Sequence, residues 1–416
     1  MGASGSAVCR TDMAADVAAS GRAPPKVLIH GIFGWGEHSM LRGSCWPDEL
    51  RRDARFIISE STGAVSSAHD RACELFYELF GGTVDYGAEH SKQYGHRRFG
   101  SKVRTAKWPN WSAGSPVDLI GHSYGGNVAI ELTRKLGADF FGVGSDARWV
   151  RSIVTLSAPI NGTTLVYLLG LALSDHRSVR WGSAIHLFGA LAASFWAVSV
   201  HVPVLRRLYD FRQPQWSDHT SACQICMMRH PMVISEDNAF HDLAPPRRHA
   251  TNPGASELAA QYLFSVTSQV NVRFALYSHP WSQRKLEVVL PVGTFNPLVL
   301  IVAALIQLHS LHVRLLTWYG WIVPPFEGAD SGAWARSDGV VNTCSQGAPS
   351  RGISSSTCGA EHVVLTLPVS QPARLRRGVW HRMQLGKHHN ATKDMHTMRR
   401  VVEILEGLPL TVSCDR

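Results

Sequence analysis

The chain has 416 residues, of which 45% are hydrophobic and 18% charged, with a formal net charge of +9. That balance supports a packed core and excludes a generally disordered chain, and the length fits one α/β domain carrying insertions. The positive charge would suit an anionic lipid surface or nucleic acid, but no helix-turn-helix, finger or RNA-binding pattern accompanies it, so nucleic acid is not an expected partner.

Residues 1–25 are rich in Ala, Gly and Ser and contain no apolar h-region, so they read as a flexible segment without a secretory signal. Gly2 followed by Ser6 fits the loose myristoylation pattern. The expected location is the cytoplasm or the periphery of a membrane. Val27-Leu28-Ile29 is a short apolar run entering His30-Gly31, which reads as a buried strand. A second such strand, Val117 to Ile120, ends at Gly121, and a helix over 127–136 closes at Gly137. Residues 153–156 form a third strand, stopped by Pro159. Strand, sharp turn, helix, strand is the rhythm of a parallel α/β sheet. Residues 183–205 and 296–306 are unusually apolar, but the first is broken by His186, Ser194, His201 and Pro203, and the second is short. Neither is a membrane-length stretch; buried helices and lipid-facing lids both remain open. Cys223 and Cys226 form a lone C-x-x-C without a second pair, which does not predict a cysteine metal site. Residues 344–360, rich in Ser, Gly and Cys, read as a surface loop.

Gly121-His122-Ser123-Tyr124-Gly125 has the G-x-S-x-G spacing. A serine on a tight strand-to-helix turn projects its hydroxyl away from the backbone, and the glycines let neighbouring chain approach. The helix that follows supplies free N–H groups and a positive dipole end. Here the motif follows an apolar strand and opens a helix, the context it requires. An acid and a base should follow in the order Asp, His. Asp338 lies in a glycine-bearing turn, and Lys387-His388-His389 offers two histidines, but among 21 histidines spacing does not choose.

Further segments carry a resemblance. They are His30-Gly31-Ile32-Phe33-Gly34-Trp35-Gly36, Ser66 to Glu74, Gly81-Gly82-Thr83-Val84-Asp85-Tyr86-Gly87, His90, Gly95-His96, Phe99-Gly100, Asn161-Gly162-Thr163-Thr164, and Asp338 to Thr343. With the serine motif, they resemble the zinc-containing triacylglycerol lipases: the thermostable bacterial and staphylococcal enzymes and their plant lipase-like relatives. The likeness runs from about residue 26 to about 389 and thins in the middle. It implies an α/β-hydrolase fold with a mostly parallel central sheet, residues 26–416 forming one domain, a zinc-binding insertion at about 66–100 and a helical lid at about 165–235.

The resemblance also implies roles. Ser123 is the expected nucleophile, Asp338 the acid and His389 the base, with His388 standing where the family usually has Asp. Ile32 and Tyr124 are the expected backbone donors to the oxyanion. A structural zinc ion is expected on Asp70, His90, His96 and Asp237, a donor set that suits a closed tetrahedral site. The family's calcium site uses acidic side chains just after the histidine, and Asn390-Ala391-Thr392-Lys393 lacks them, so calcium is not expected. The implied activity is hydrolysis of lipid esters at a lipid–water interface. An acyltransferase or thioesterase on the same sheet, or a non-catalytic lipid-binding relative, are the alternatives.

Overall fold

The computed structural model describes residues 23–34, 46–202, 204–205, 210–219, 234–269, 273–275, 287–289, 334, 338, 340–350, 362–364, 375–385 and 393–409. His388, His389, Gly2, Cys223, Cys226, residues 296–306 and residues 390–392 lie outside them.

The chain opens with β1 (Lys26–Ile29) and β2 (Phe56–Ile58), then α1 (Ala68–Phe80). A hairpin of β3 (Gly82–Asp85) and β4 (Phe99–Val103) brackets α2 (Ala88–Tyr94). Next come β5 (Val117–His122), α3 (Tyr124–Gly137), β6 (Val150–Leu156), α4 (Ala184–His201) and α5 (Ala239–Asp242). After these follow β7 (Tyr262–Ser268), a small hairpin of β8 (Arg273–Ala275) and β9 (Glu287–Val289), β10 (His362–Val364), β11 (Trp380–Leu385) and α6 (Met395–Glu406).

Seven strands make one sheet in the order β10-β11-β7-β6-β5-β1-β2, and every pairing in it is parallel. Parallel strands covered on both faces read as unbroken apolar runs, and β1 shows why. Val27 and Ile29 face one core with Leu119, Ile153 and Leu263, under Leu75 and Phe76 of α1 and Val128 and Leu132 of α3. Leu28 faces the other core with Ile120, Val154 and Phe264, under Met398, Val401 and Leu405 of α6. Truncating such a side chain, as in Leu132→Ala, typically costs ~2–5 kcal/mol.

Register brings the site's segments to one edge. Ile29 pairs with Gly121, and Gly121 pairs with Thr155, so the loop after β1, the turn after β5 and the end of β6 lie side by side. That is the carboxyl edge of the sheet, where ligands of open α/β folds bind.

One expectation fails. Of the segment expected to be a surface loop, residues 344–350 are described, and Ser345, Gln346 and Ala348 are fully buried there. Their polar groups are consumed inside: Ser345 donates to the Gly162 carbonyl, and the Gln346 side chain pairs with both backbone groups of Ser268. Composition alone misleads because a buried polar residue is stable wherever its hydrogen bonds are met.

Candidate active site and metal centre

Ser123 stands between β5 and α3 with φ 54° and ψ −131°, a conformation costly for a residue with a Cβ. The surroundings enforce it. A Cβ on Gly121 would lie 2.4 Å from the Gly125 backbone, and one on Gly125 would lie 2.3 Å from the Ile29 carbonyl oxygen. The glycines are thus required by the close passage of α3's first turn over β1 and β5. His122 and Tyr124 are buried, whereas Ser123 is partly exposed. Tyr124 opens the helix, so its backbone N–H has no intrahelical acceptor.

The loop after β1 lies directly against the serine. A Cβ on Gly31 would come 2.8 Å from the Ser123 Cβ. Ile32 follows, and then Phe33, another strained non-glycine residue at φ 58°. Arg71 of α1 holds this loop from beneath: its guanidinium is fully buried and donates to the His30 carbonyl at 2.6 Å.

Asp338 is fully buried beside the end of β7. Its Oδ1 accepts the backbone N–H groups of Val340 and Val341 at 3.0 and 2.9 Å. Its Oδ2 accepts the Ser268 hydroxyl at 2.6 Å and the Gln346 amide at 3.0 Å. The Ser268 proton points at Asp338, so the 2.6 Å contact between the hydroxyls of Ser157 and Ser268 is a donation from Ser157. Ser268 and Gln346 are functional candidates that the sequence does not betray. Asp338 and Ser123 are both at the carboxyl edge of the sheet, whereas His389 follows β11 in sequence and lies outside the described residues.

The four expected metal ligands converge. One donor atom from each of Asp70, His90, His96 and Asp237 lies within 4.8 Å of the others, a grouping able to hold a metal ion. His90 Nε2 is 3.1 Å from Asp70 Oδ1 and 3.2 Å from Asp237 Oδ1, and His96 Nε2 is 3.2 Å from Asp237 Oδ2. All of these atoms are buried, and none has a hydrogen-bond partner. Their lone pairs face a common centre instead. Edges of this length suit a tetrahedron with bonds of about 2.0–2.1 Å. The His96 Nδ1 proton goes to the Arg97 carbonyl at 2.8 Å, which frees Nε2 for a metal, and Gln215 donates to Asp70 Oδ2 at 2.8 Å. Without a cation the set is electrostatically tense. Burial, then the neighbouring Asp237, pushes Asp70 up to about 6. Burial also opposes charge on His90, but the two carboxylates more than offset it and lift His90 to about 9.

Helix α4 carries no Lys, Arg, Asp or Glu. Ile185, Ala193 and Trp196 are buried, while Leu187, Leu191 and Val198 are 48%, 70% and 50% exposed. The helix is therefore neither wholly buried nor amphipathic: it shows solvent an apolar face. Phe188 reaches the loop beside Ser123 through an edge contact with Phe33 at 4.8 Å. No helix among the described residues is long and apolar enough to cross a membrane.

Residues 24–178 match the family described as "Lipase-like, C-terminal domain". Over 164 residues the chain is 35% identical to a lipase of Staphylococcus hyicus, and 34% identical to lipase 2 of Staphylococcus aureus. Over this stretch the chain is similar to the bacterial lipases. The matched part is 33% of this chain and 25% of the S. hyicus protein, so the chain spans about a quarter of the curated relatives it matches. The crystal structure of S. hyicus lipase has the same fold, with a TM-score of 0.62 at 22% identity, covering 92% of each chain. EstA from Clostridium botulinum gives 0.64 at 22% identity, covering 94% of this chain and 89% of that one. The lipase-like match includes β1, the candidate metal ligands Asp70, His90 and His96, and the serine turn, whereas Asp237 and Asp338 fall beyond it.

Proposed function

We propose that the chain is a serine hydrolase of lipid carboxylic esters. The observation that carries this reading is Ser123, held in a strained turn at a helix N-terminus with the Gly31 peptide packed against it. In the reaction Ser123 Oγ attacks the ester carbonyl while His389 takes its proton. Asp338, held rigid by four donors, would orient the imidazole and stabilise its charge. Negative charge gathering on the carbonyl oxygen is met by the backbone N–H groups of Ile32 and Tyr124. His389 returns the proton to the leaving alcohol, and water, activated by the same histidine, releases the acid from the acyl-enzyme.

Asp70, His90, His96 and Asp237 would hold a zinc ion, which with four protein ligands serves as a cross-link and not as a Lewis acid. The ligands join α1, the segment around α2 and the approach to α5, so the ion would tie the 66–100 segment to the body of the domain. Helix α4 belongs to a lid over 165–235, its apolar face meeting the lipid–water interface and its Phe188 touching the oxyanion loop.

The test is hydrolysis of p-nitrophenyl esters of rising acyl length by wild type and Ser123→Ala. Turnover should favour medium and long chains, and Ser123→Ala should lose on the order of 10⁴- to 10⁶-fold in kcat. Retained turnover in the variant, or a preference for acetate, would contradict the reading.

A further inference from the structure

An oxyanion donor is useful only if its N–H points the right way before the charge develops. Ile32 N–H and the Gly31 carbonyl belong to one planar trans peptide, so fixing the direction of that oxygen fixes the opposite direction of the N–H. The Gly31 oxygen is in an unusual setting. It lies 2.8 Å from His30 Nδ1, takes the Gly34 N–H at 3.4 Å, and takes Arg71 Nη1 at 3.4 Å. Arg71 Nη2 also reaches His30 Nδ1 at 3.1 Å.

The shortest contact of the ring is the 2.8 Å approach of Nδ1 to the Gly31 oxygen, and a carbonyl only accepts, so Nδ1 carries the imidazole proton and donates to it. Nε2 then accepts the Thr62 hydroxyl at 2.9 Å, and the Thr62 oxygen in turn accepts from Arg71 Nη2 at 3.3 Å. The His30 ring and the buried Arg71 cation thus hold the same Gly31 oxygen, and the cation also donates to the His30 carbonyl at 2.6 Å. There is no slack, since a Cβ on Gly34 would fall 2.0 Å from His30 Nδ1. Burial and the Arg71 charge both keep the His30 ring neutral, in keeping with this arrangement.

We propose that Arg71 is a positioning residue for the oxyanion loop: its guanidinium clamps the His30 and Gly31 carbonyls and so aims the Ile32 N–H at the site beside Ser123. This rests on the ester-hydrolase reading above. The clamp is built from the core of α1, so loop geometry is set before substrate arrives. Loss of the guanidinium frees the His30 carbonyl and leaves the Gly31 oxygen with only the ring and the long Gly34 contact, which lets the peptide turn.

Arg71→Met and Arg71→Lys, measured with a p-nitrophenyl ester well below their melting temperatures, separate this role from mere stability. For Arg71→Met, kcat should fall on the order of 10- to 100-fold, short of the 10²- to 10³-fold lost when a donor is deleted outright. KM should stay within about twofold while inhibition by an alkyl boronic acid, which mimics the tetrahedral adduct on Ser123, weakens in proportion to the loss in kcat/KM. Arg71→Lys, which keeps one charged donor, should recover part of the loss. If both variants fail to fold, Thr62→Val serves: it keeps the guanidinium but removes the hydroxyl shared by His30 and Arg71, and should give a smaller loss of the same kind. Folded variants with unchanged kcat and unchanged boronic acid affinity overturn the proposal alone. A wild type without Ser123-dependent turnover overturns the hydrolase reading and the proposal with it.

Discussion

Asp338 and the Asp70–Asp237 pair are buried carboxylate centres in one domain, and they are built in opposite ways. Both oxygens of Asp338 are met by protein donors: two backbone N–H groups on one, a hydroxyl and an amide on the other. In the second centre Asp70 Oδ1, both Asp237 oxygens and two imidazole nitrogens are buried without hydrogen bonds. Buried polar groups left in that state cost about 1–3 kcal/mol each, more when charged. A carboxylate met by donors on both oxygens is stable as an anion and fixed in place; a set of acceptors facing one another calls for a cation. The difference separates a candidate for catalysis from a candidate for a structural metal, although both are buried aspartates.

The contrast breaks most sharply at Asp338. Asp338→Asn keeps the shape but cannot accept from all four donors, and kcat should fall by about 10⁴-fold, as when a triad aspartate is so replaced elsewhere. A loss of less than tenfold in steady-state kinetics would remove Asp338 from the mechanism. His96→Ala should act on the other centre. Zinc content by elemental analysis should fall, and stability should drop by on the order of 3 kcal/mol, read as a lower melting temperature. The kcat measured at low temperature should stay near wild type. A folded, zinc-free enzyme whose turnover returns on adding metal would instead make the ion catalytic. The same centre should lose its ion on acidification. Since the metal-free cluster lifts His90 to about 9 and Asp70 to about 6, protons occupy the site at neutral pH and below. Binding must displace them, so affinity falls as pH falls; dialysis across pH 5–8 that leaves retention unchanged would argue against these ligands. The smallest effect is expected from Ser268→Ala, which takes one donor from Asp338 and the acceptor from Ser157. About 1–1.5 kcal/mol, or roughly tenfold in kcat, should be lost.

What the sequence discloses follows from how locally each feature is determined. The apolar runs of β1 and β5 are legible because an interior parallel strand must be apolar on both faces. The glycines around Ser123 are legible because any Cβ there meets backbone. The four candidate metal ligands come only through resemblance, since the spacing of His90 and His96 matches no helical turn or finger. Ser268 and Gln346 carry no such mark, and Arg71 lies in a segment of resemblance that assigns it no role. Their importance arises from hydrogen bonds to residues distant in the chain, and a serine in a strand or a glutamine in a polar stretch looks ordinary until β7 and the 343–346 turn are side by side. For the same reason a Ser- and Gly-rich composition suggested solvent where the fold buries a hydrogen-bonded support.

The central claim is that Ser123 is an activated nucleophile. Its most direct test is an alkyl fluorophosphonate, which reacts only with a serine whose proton is taken and whose developing oxyanion is held. Intact mass spectrometry and peptide mapping should show one adduct per chain, on Ser123, forming in step with loss of ester hydrolysis and absent from Ser123→Ala. An unmodified chain that still hydrolyses esters, or an adduct on another residue that accounts for inactivation, would contradict the account.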